Sequence, residues 1–172
     1  MRLIKAGADF LPEMCENLEL NFDLEERRDS CDQIKTFGED RFVSWIIEEE
    51  GERVGFLNVW EFENFTYFEH FVVYERFRGD GIGGRALDMI LQKYKNVVLE
   101  AEPPEKGIKK RRINFYKRHG LKVNPQYYWQ PPFRAGGKGC ELKILSYPAL
   151  LDDFDGVVSE IYKKVYKTEY KK

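Results

Sequence analysis

FVVYERFRGDGIGGRAL, Phe71 to Leu87, passes from an apolar run with strand character through four glycines into a helical pattern. Bare backbone at the mouth of a helix suits an anion, because the first N–H groups of a helix lack partners and carry partial positive charge. Glycine also serves strand-to-helix corners for steric reasons alone. The flanking sequence has to decide between these uses.

Downstream, Ile82, Ala86, Leu87, Ile90, Leu91 and Tyr94 form an apolar stripe at helical spacing. NVVLEAE reads as a buried strand ended by Pro103 and Pro104, and a helix from about Lys106 stops at Gly120, a C-cap glycine. YYWQPPF and CELKILSY read as strands around the loop RAGGKG, and Leu151, Phe154, Val158, Ile161 and Val165 give an amphipathic C-terminal helix. Upstream, RFVSWIIEE and RVGFLNVWEF form a hairpin about EGE, and FTYFEHFVVY follows as a third consecutive strand. RLIKA is a short first strand. Phe10, Met14 and Leu18 mark a helix with Asp9 as its N-cap, and the Asp23/Glu26 spacing starts a second helix that runs to about Lys35. A meander followed by a later crossover belongs to the α/β (α+β) class: a mixed, mostly antiparallel sheet with helices on both faces and an added C-terminal helix. Residues 1–172 are read as a single domain.

With 42% hydrophobic and 34% charged residues, the composition fits a soluble protein with a charged surface. No apolar run reaches membrane-span length, and MRLIKAGADF lacks a signal-peptide core, so no membrane partner is expected. Cys15, Cys31 and Cys140 are scattered and odd in number, which points to a reducing, cytoplasmic setting. Two histidines and no cysteine pair argue against a metal site. A net charge of −2 argues against a nucleic-acid partner. The charge is uneven: ENLELNFDLEERRDSCD is acidic, whereas KGIKKRRINFYKRHGLK holds eight Lys or Arg and no acid.

Gly81-x-Gly83-x-x-Ala86 matches the dinucleotide fingerprint, with Glu100 or Glu102 near the distance of a ribose-binding acid. The preceding meander does not suit the repeated strand–helix–strand units which that oxidoreductase fold needs. No Gly-Lys-Ser/Thr follows, so a Walker-type loop is excluded, and nothing marks Arg78-Gly79-Asp80 as an extracellular adhesion signal. Arg78-x-x-Gly81-x-Gly83, placed after an apolar strand and opening a helix, resembles the acetyl-coenzyme A loop of the GNAT superfamily of N-acetyltransferases. INFYKRHGL, Ile113 to Leu121, resembles the same family's later helix. Together the two motifs cover residues 40 to 123.

The resemblance implies a co-substrate, acetyl-coenzyme A, whose pyrophosphate meets the backbone amides of Gly79, Asp80, Gly81, Ile82, Gly83 and Gly84. Arg78 either bonds phosphate or braces the loop. It also implies that the strand splays after Val73 and that the pantetheine arm pairs with Phe71, Val72 and Val73. The acceptor is an amine of a small molecule or peptide, attacked directly on the thioester. A leaving thiolate, pKa about 8.5, needs an acid. Tyr116 stands at the family's position for it, or is a core aromatic beside Phe115. Strict strand alternation puts Tyr67, Glu69, Phe71 and Val73 on one face and Phe68, His70 and Val72 on the other. The family places a Glu or His base on this strand, on the active-site face, so the resemblance implies Glu69 as the base; its other reading is half of a structural ion pair. His70 is expected to sit hydrogen-bonded under a helix. A rival is a non-catalytic coenzyme A-binding module working through the C-terminal helix, which either caps the core or meets a second copy in a homodimer.

Overall fold

The computed structural model describes residues 1–171. The strands are β1 (Arg2–Lys5), β2 (Phe42–Glu49), β3 (Glu52–Glu61), β4 (Thr66–Val73), β5 (Val97–Ala101), β6 (Lys122–Val123), β7 (Tyr128–Gln130) and β8 (Cys140–Tyr147). The helices are α1 (Leu11–Asn21), α2 (Ser30–Phe37), α3 (Ile82–Lys93), α4 (Gly107–Arg118) and α5 (Phe154–Lys164). The sheet runs β1-β2-β3-β4-β5-β8-β6, with β7 also paired to β8. Only β4 and β5 pair in parallel; the other pairings are antiparallel. No helix among the described residues is long and apolar enough to cross a membrane.

Helices cover both faces. On one, α3 buries Ile82, Ala86, Leu87, Ile90 and Leu91 with Ile113 of α4 against Leu57, Phe68 and Leu99. Each Leu or Ile buried there contributes about 1.5–3 kcal/mol. On the other, α1 packs Met14 and Leu18 against Phe56 and Val72. Beside it, Phe154, Val158, Ile161 and Tyr162 of α5 pack against Trp60, Tyr67, Val98 and Ile144. The apolar stripe of the C-terminal helix is thus spent on the chain's own core.

Two features differ from the sequence expectation. The helix placed at Asp23 starts only at Ser30, capped by Asp29, whose side chain accepts from the Asp32 N–H at 2.8 Å. Residues 23–29 are instead a connection that carries Arg28 into the interior. The second difference is a bulge in β4. Asn58 pairs with His70 and Val59 with Phe68, so Glu69 has no partner on β3. One extra residue resets the alternation. Phe68, Phe71 and Val73 therefore share the face covered by α3 and α4, while Tyr67 and Val72 pack on the opposite face.

Candidate active site

β4 and β5 pair only at Thr66–Val97, Tyr67–Val98 and Phe68–Leu99. Beyond Phe68 they part, earlier than the splay after Val73 expected from the sequence. The result is a cavity of about 710 Å³ that brings together Glu69, Phe71, Val72, Val73, Arg78, Gly83 and Tyr116. Phe22 lines it from the α1 side, and Arg111, Phe115 and Arg118 from α4.

The free edge of β4 is usable. Tyr74 N–H bonds the Val54 carbonyl at 3.0 Å, so alternation turns the backbone groups of Phe71 and Val73 away from β3 and toward the cleft. Arg78 takes one of them: its Nε donates to the Val73 carbonyl at 2.9 Å, and its Nη2 donates to Asn21 Oδ1. Of the two roles open to Arg78, this is the bracing one. The loop is held further by Arg85, which donates to the Asp80 carbonyl at 2.9 Å and pairs with Glu49. Gly79 and Gly81 have φ of +100° and +75°, and Gly81 is the N-cap of α3. A side chain at either would be strained in that left-handed region. Arg85 N–H is bonded to the Gly81 carbonyl, which leaves the amides of Ile82, Gly83 and Gly84 as the unpaired first turn at the cleft mouth. Ile82 offers only backbone, since its side chain is core. An open strand edge, free first-turn amides and two arginines together fit a long, phosphate-bearing co-substrate.

Tyr116 sits half-buried on α4, its ring 5.3 Å from Phe115 at 64°. Burial pushes its phenol pKa up, partly opposed by Arg112. The group therefore stays protonated at neutral pH.

The bulge gives Glu69 an unusual position. Its side chain is 1% exposed, and Oε1 accepts from Arg28 Nη1 at 2.6 Å. Arg28, itself 7% exposed, also donates to the Val165 carbonyl at 3.0 Å and lies over Phe133, 4.5 Å from its centroid. The ion pair offered as the alternative role of Glu69 is formed. His70, on the other side, packs edge-on to Phe22 at 4.8 Å, with Nδ1 3.5 Å from Glu69 Oε2. Its burial disfavours the imidazolium and lowers its pKa, with Glu69 opposing. Arg28→Ala is expected to cost about 3–5 kcal/mol, because it leaves the Glu69 carboxylate buried without its cation. Thermal unfolding checks this; an unchanged melting temperature would mean that Glu69 is neutralised some other way.

A second carboxylate shares the cleft. Glu100, on β5 just past the parting of the strands, accepts from the Tyr166 hydroxyl at 2.7 Å and from the Tyr128 hydroxyl. Tyr67 Oη stands 3.4 Å from Tyr166 Oη. Burial raises the Glu100 pKa to about 7, against the pull of these hydroxyls. The sequence signal was present: one acid inside the apolar strand VVLEA. Its tyrosine partners come from β7 and from just beyond α5, which no local pattern links to it.

The pattern of residues 40–123 matches the family model for the acetyltransferase (GNAT) domain. The chain carries a GNAT acetyltransferase domain. Among solved structures, this GNAT chain is similar to a Bacteroides thetaiotaomicron protein assigned to the family, at 28% identity and a TM-score of 0.92, covering 98% of this chain and 100% of that one. It shares the fold of the Escherichia coli ribosomal-protein-S18-alanine N-acetyltransferase, with 12% identity, TM-score 0.63, and 90% and 97% of the two chains covered. It also shares the fold of a GNAT acetyltransferase from Elizabethkingia anophelis with acetyl-CoA bound, with 17% identity, TM-score 0.57, and 84% and 95% covered. A search of the curated proteins finds no match. By family the protein is an acyltransferase.

Proposed function

We propose that this GNAT protein transfers acetyl from acetyl-coenzyme A to a primary amine by direct attack, in the cytoplasm. The observation that carries the reading is the joining of three elements in one cleft: the open β4 edge at Phe71 and Val73, the Tyr116 phenol, and the Glu100 carboxylate. The thioester arm lies along the β4 edge, with its pyrophosphate at Gly79–Gly84 and its remaining phosphate toward Arg111 or Arg118. Glu100 takes a proton from the acceptor ammonium, directly or through water, and the freed amine attacks the acetyl carbonyl. The C–S bond then breaks, Tyr116 gives its proton to the departing thiolate, and the surplus proton on the acylated nitrogen returns through water to the Tyr116 phenolate. The products are an acetamide and coenzyme A.

Glu69, the base expected from the sequence, has one oxygen committed to Arg28. That favours an organising role for Glu69 and leaves the proton to Glu100, whose pKa of about 7 is matched to the task. The first test is calorimetry. Coenzyme A and acetyl-coenzyme A should bind and NAD should not, and a valine at Gly81 should weaken coenzyme binding. Equal NAD affinity would restore the dinucleotide reading. Tight coenzyme binding with no thiol release on any amine would restore the non-catalytic module.

A further inference from the structure

The C-terminal helix α5 covers the core, but the turn that follows it reaches the two buried acids of the cleft. Val165 and Tyr166 open this turn. It is fixed by the Val165 N–H on the Ile161 carbonyl at 2.8 Å and the Thr168 N–H on the Tyr162 carbonyl at 3.1 Å. The Val165 carbonyl accepts from Arg28, which holds Glu69, while the next residue, Tyr166, donates its hydroxyl to Glu100 Oε2. We infer that Tyr166 is a positioning residue of the transfer reaction, whose hydroxyl holds the Glu100 carboxyl in the orientation and the ionised form that accept the proton. The inference rests on the assignment of that proton to Glu100 above. It brings into the reaction a residue outside the family-matched stretch 40–123.

The cations near Glu100 serve other acids. Lys109 and Arg112 pair with Glu102 at 3.3 and 2.9 Å, Arg28 pairs with Glu69 at 2.6 Å, and among the described residues no ion pair within 4.0 Å reaches Glu100. The other ionisable groups around it are Tyr67 and Glu69 of β4, Tyr128 of β7, Cys140 of β8, Tyr162 of α5 and Glu26 of the connection before α2. None of these brings a positive charge. An ionised Glu100 is therefore supported by phenol hydroxyls, Tyr128 on Oε1 and Tyr166 on Oε2. Such bonds favour the carboxylate over the protonated acid. One donor on each oxygen also fixes the plane of the group, and a proton acceptor has to be held within hydrogen-bond reach of the proton it takes.

Tyr166 is itself held in place. Its buried ring lies 4.8 Å from Phe133 and 6.1 Å from Tyr162. Phe133 also lies under the Arg28 guanidinium at 4.5 Å, so one ring braces the partners of both acids. The Tyr166 proton is on Glu100, which makes Tyr67 the donor of the 3.4 Å contact between the two phenol oxygens. A hydroxyl that accepts one hydrogen bond donates a stronger one.

The test measures kcat/KM–pH profiles and thermal unfolding for Tyr166→Phe, with Tyr162→Phe as the control from the same helix end. Phenylalanine keeps the ring contacts and removes only the donor. The midpoint of the acidic limb, about 7 in the wild type, should rise by about one pH unit, and kcat/KM at pH 7 should fall about fivefold or more. Unfolding gives a readout that needs no turnover. The folded-state pKa of Glu100 lies above its unfolded value, so its contribution to stability is lost as the pH rises through the folded value. In Tyr166→Phe that loss continues to higher pH, and the melting temperature relative to wild type should fall from pH 5 to pH 8. Tyr162→Phe loses a hydroxyl that bonds the Trp129 carbonyl, and it should leave the midpoint where it is. A Tyr166→Phe protein with an unmoved midpoint, whatever its melting temperature, makes Tyr166 a packing residue and overturns the inference. If Glu100→Gln abolishes the limb in the same experiment, the proton assignment survives that result. A limb retained in Glu100→Gln overturns both.

Discussion

Glu100→Gln is expected to lower kcat/KM by about 10²–10⁴-fold, the range for loss of a positioned proton acceptor. The carboxamide keeps the shape and can satisfy Tyr128 and Tyr166 by turning a hydroxyl, but it cannot take a proton. In the wild type, kcat/KM should rise as Glu100 ionises, with a midpoint at about 7 in the free enzyme. The variant should lose that limb. Stability supplies an independent check. Burial raises this carboxyl from 4.5 to about 7, so folding favours its protonated form. That contribution is complete below pH 4.5 and is lost as the pH rises through 7. The Gln variant escapes the loss, so its melting temperature relative to wild type should increase from pH 5 to pH 8. Glu69→Gln should behave in the opposite way: Arg28 loses its counter-ion, and the melting temperature falls across the whole range. Turnover per folded molecule then stays close to wild type. A Glu69 variant that loses the limb while the Glu100 variant keeps it would return the proton to Glu69.

Tyr116→Phe should reduce kcat by about 10²–10⁴-fold while coenzyme affinity and melting temperature hold. Among the described residues the hydroxyl has no hydrogen-bond partner to lose, and the ring keeps its contact with Phe115. A thiolate leaving without a proton is the step made slow. An acetyl thioester of an aryl thiol, whose leaving group is far more acidic, should therefore recover most of the lost rate in the variant. Wild-type turnover of acetyl-coenzyme A by the Phe variant would reduce Tyr116 to a packing residue. Equal losses on both thioesters would place the defect before C–S cleavage.

The sequence by itself determined the order of strands and helices around the glycine loop. It also placed the loop at a helix mouth and put Tyr116 beside Phe115 on a helix ending at Gly120. These are local properties: a glycine that must take positive φ, an apolar stripe every three to four residues, a cap. It went wrong at β4, where strict alternation assigned Glu69 to the face of Phe71. The bulge that moved it is set by pairing with β3, and no residue within β4 announces it. The same limit hid Arg28, read as part of a helix. Its partners are Glu69, 41 positions away, and the carbonyl of Val165, 137 positions away. Glu100 was legible as an acid in an apolar strand, but not as a carboxyl whose pKa burial raises to about 7. That value depends on burial between parted strands and on hydroxyls from Tyr128 and Tyr166. Hydrogen bonds and desolvation act through space over a few ångströms, so only the folded chain decides which carboxylate faces the acceptor and which is held by an arginine.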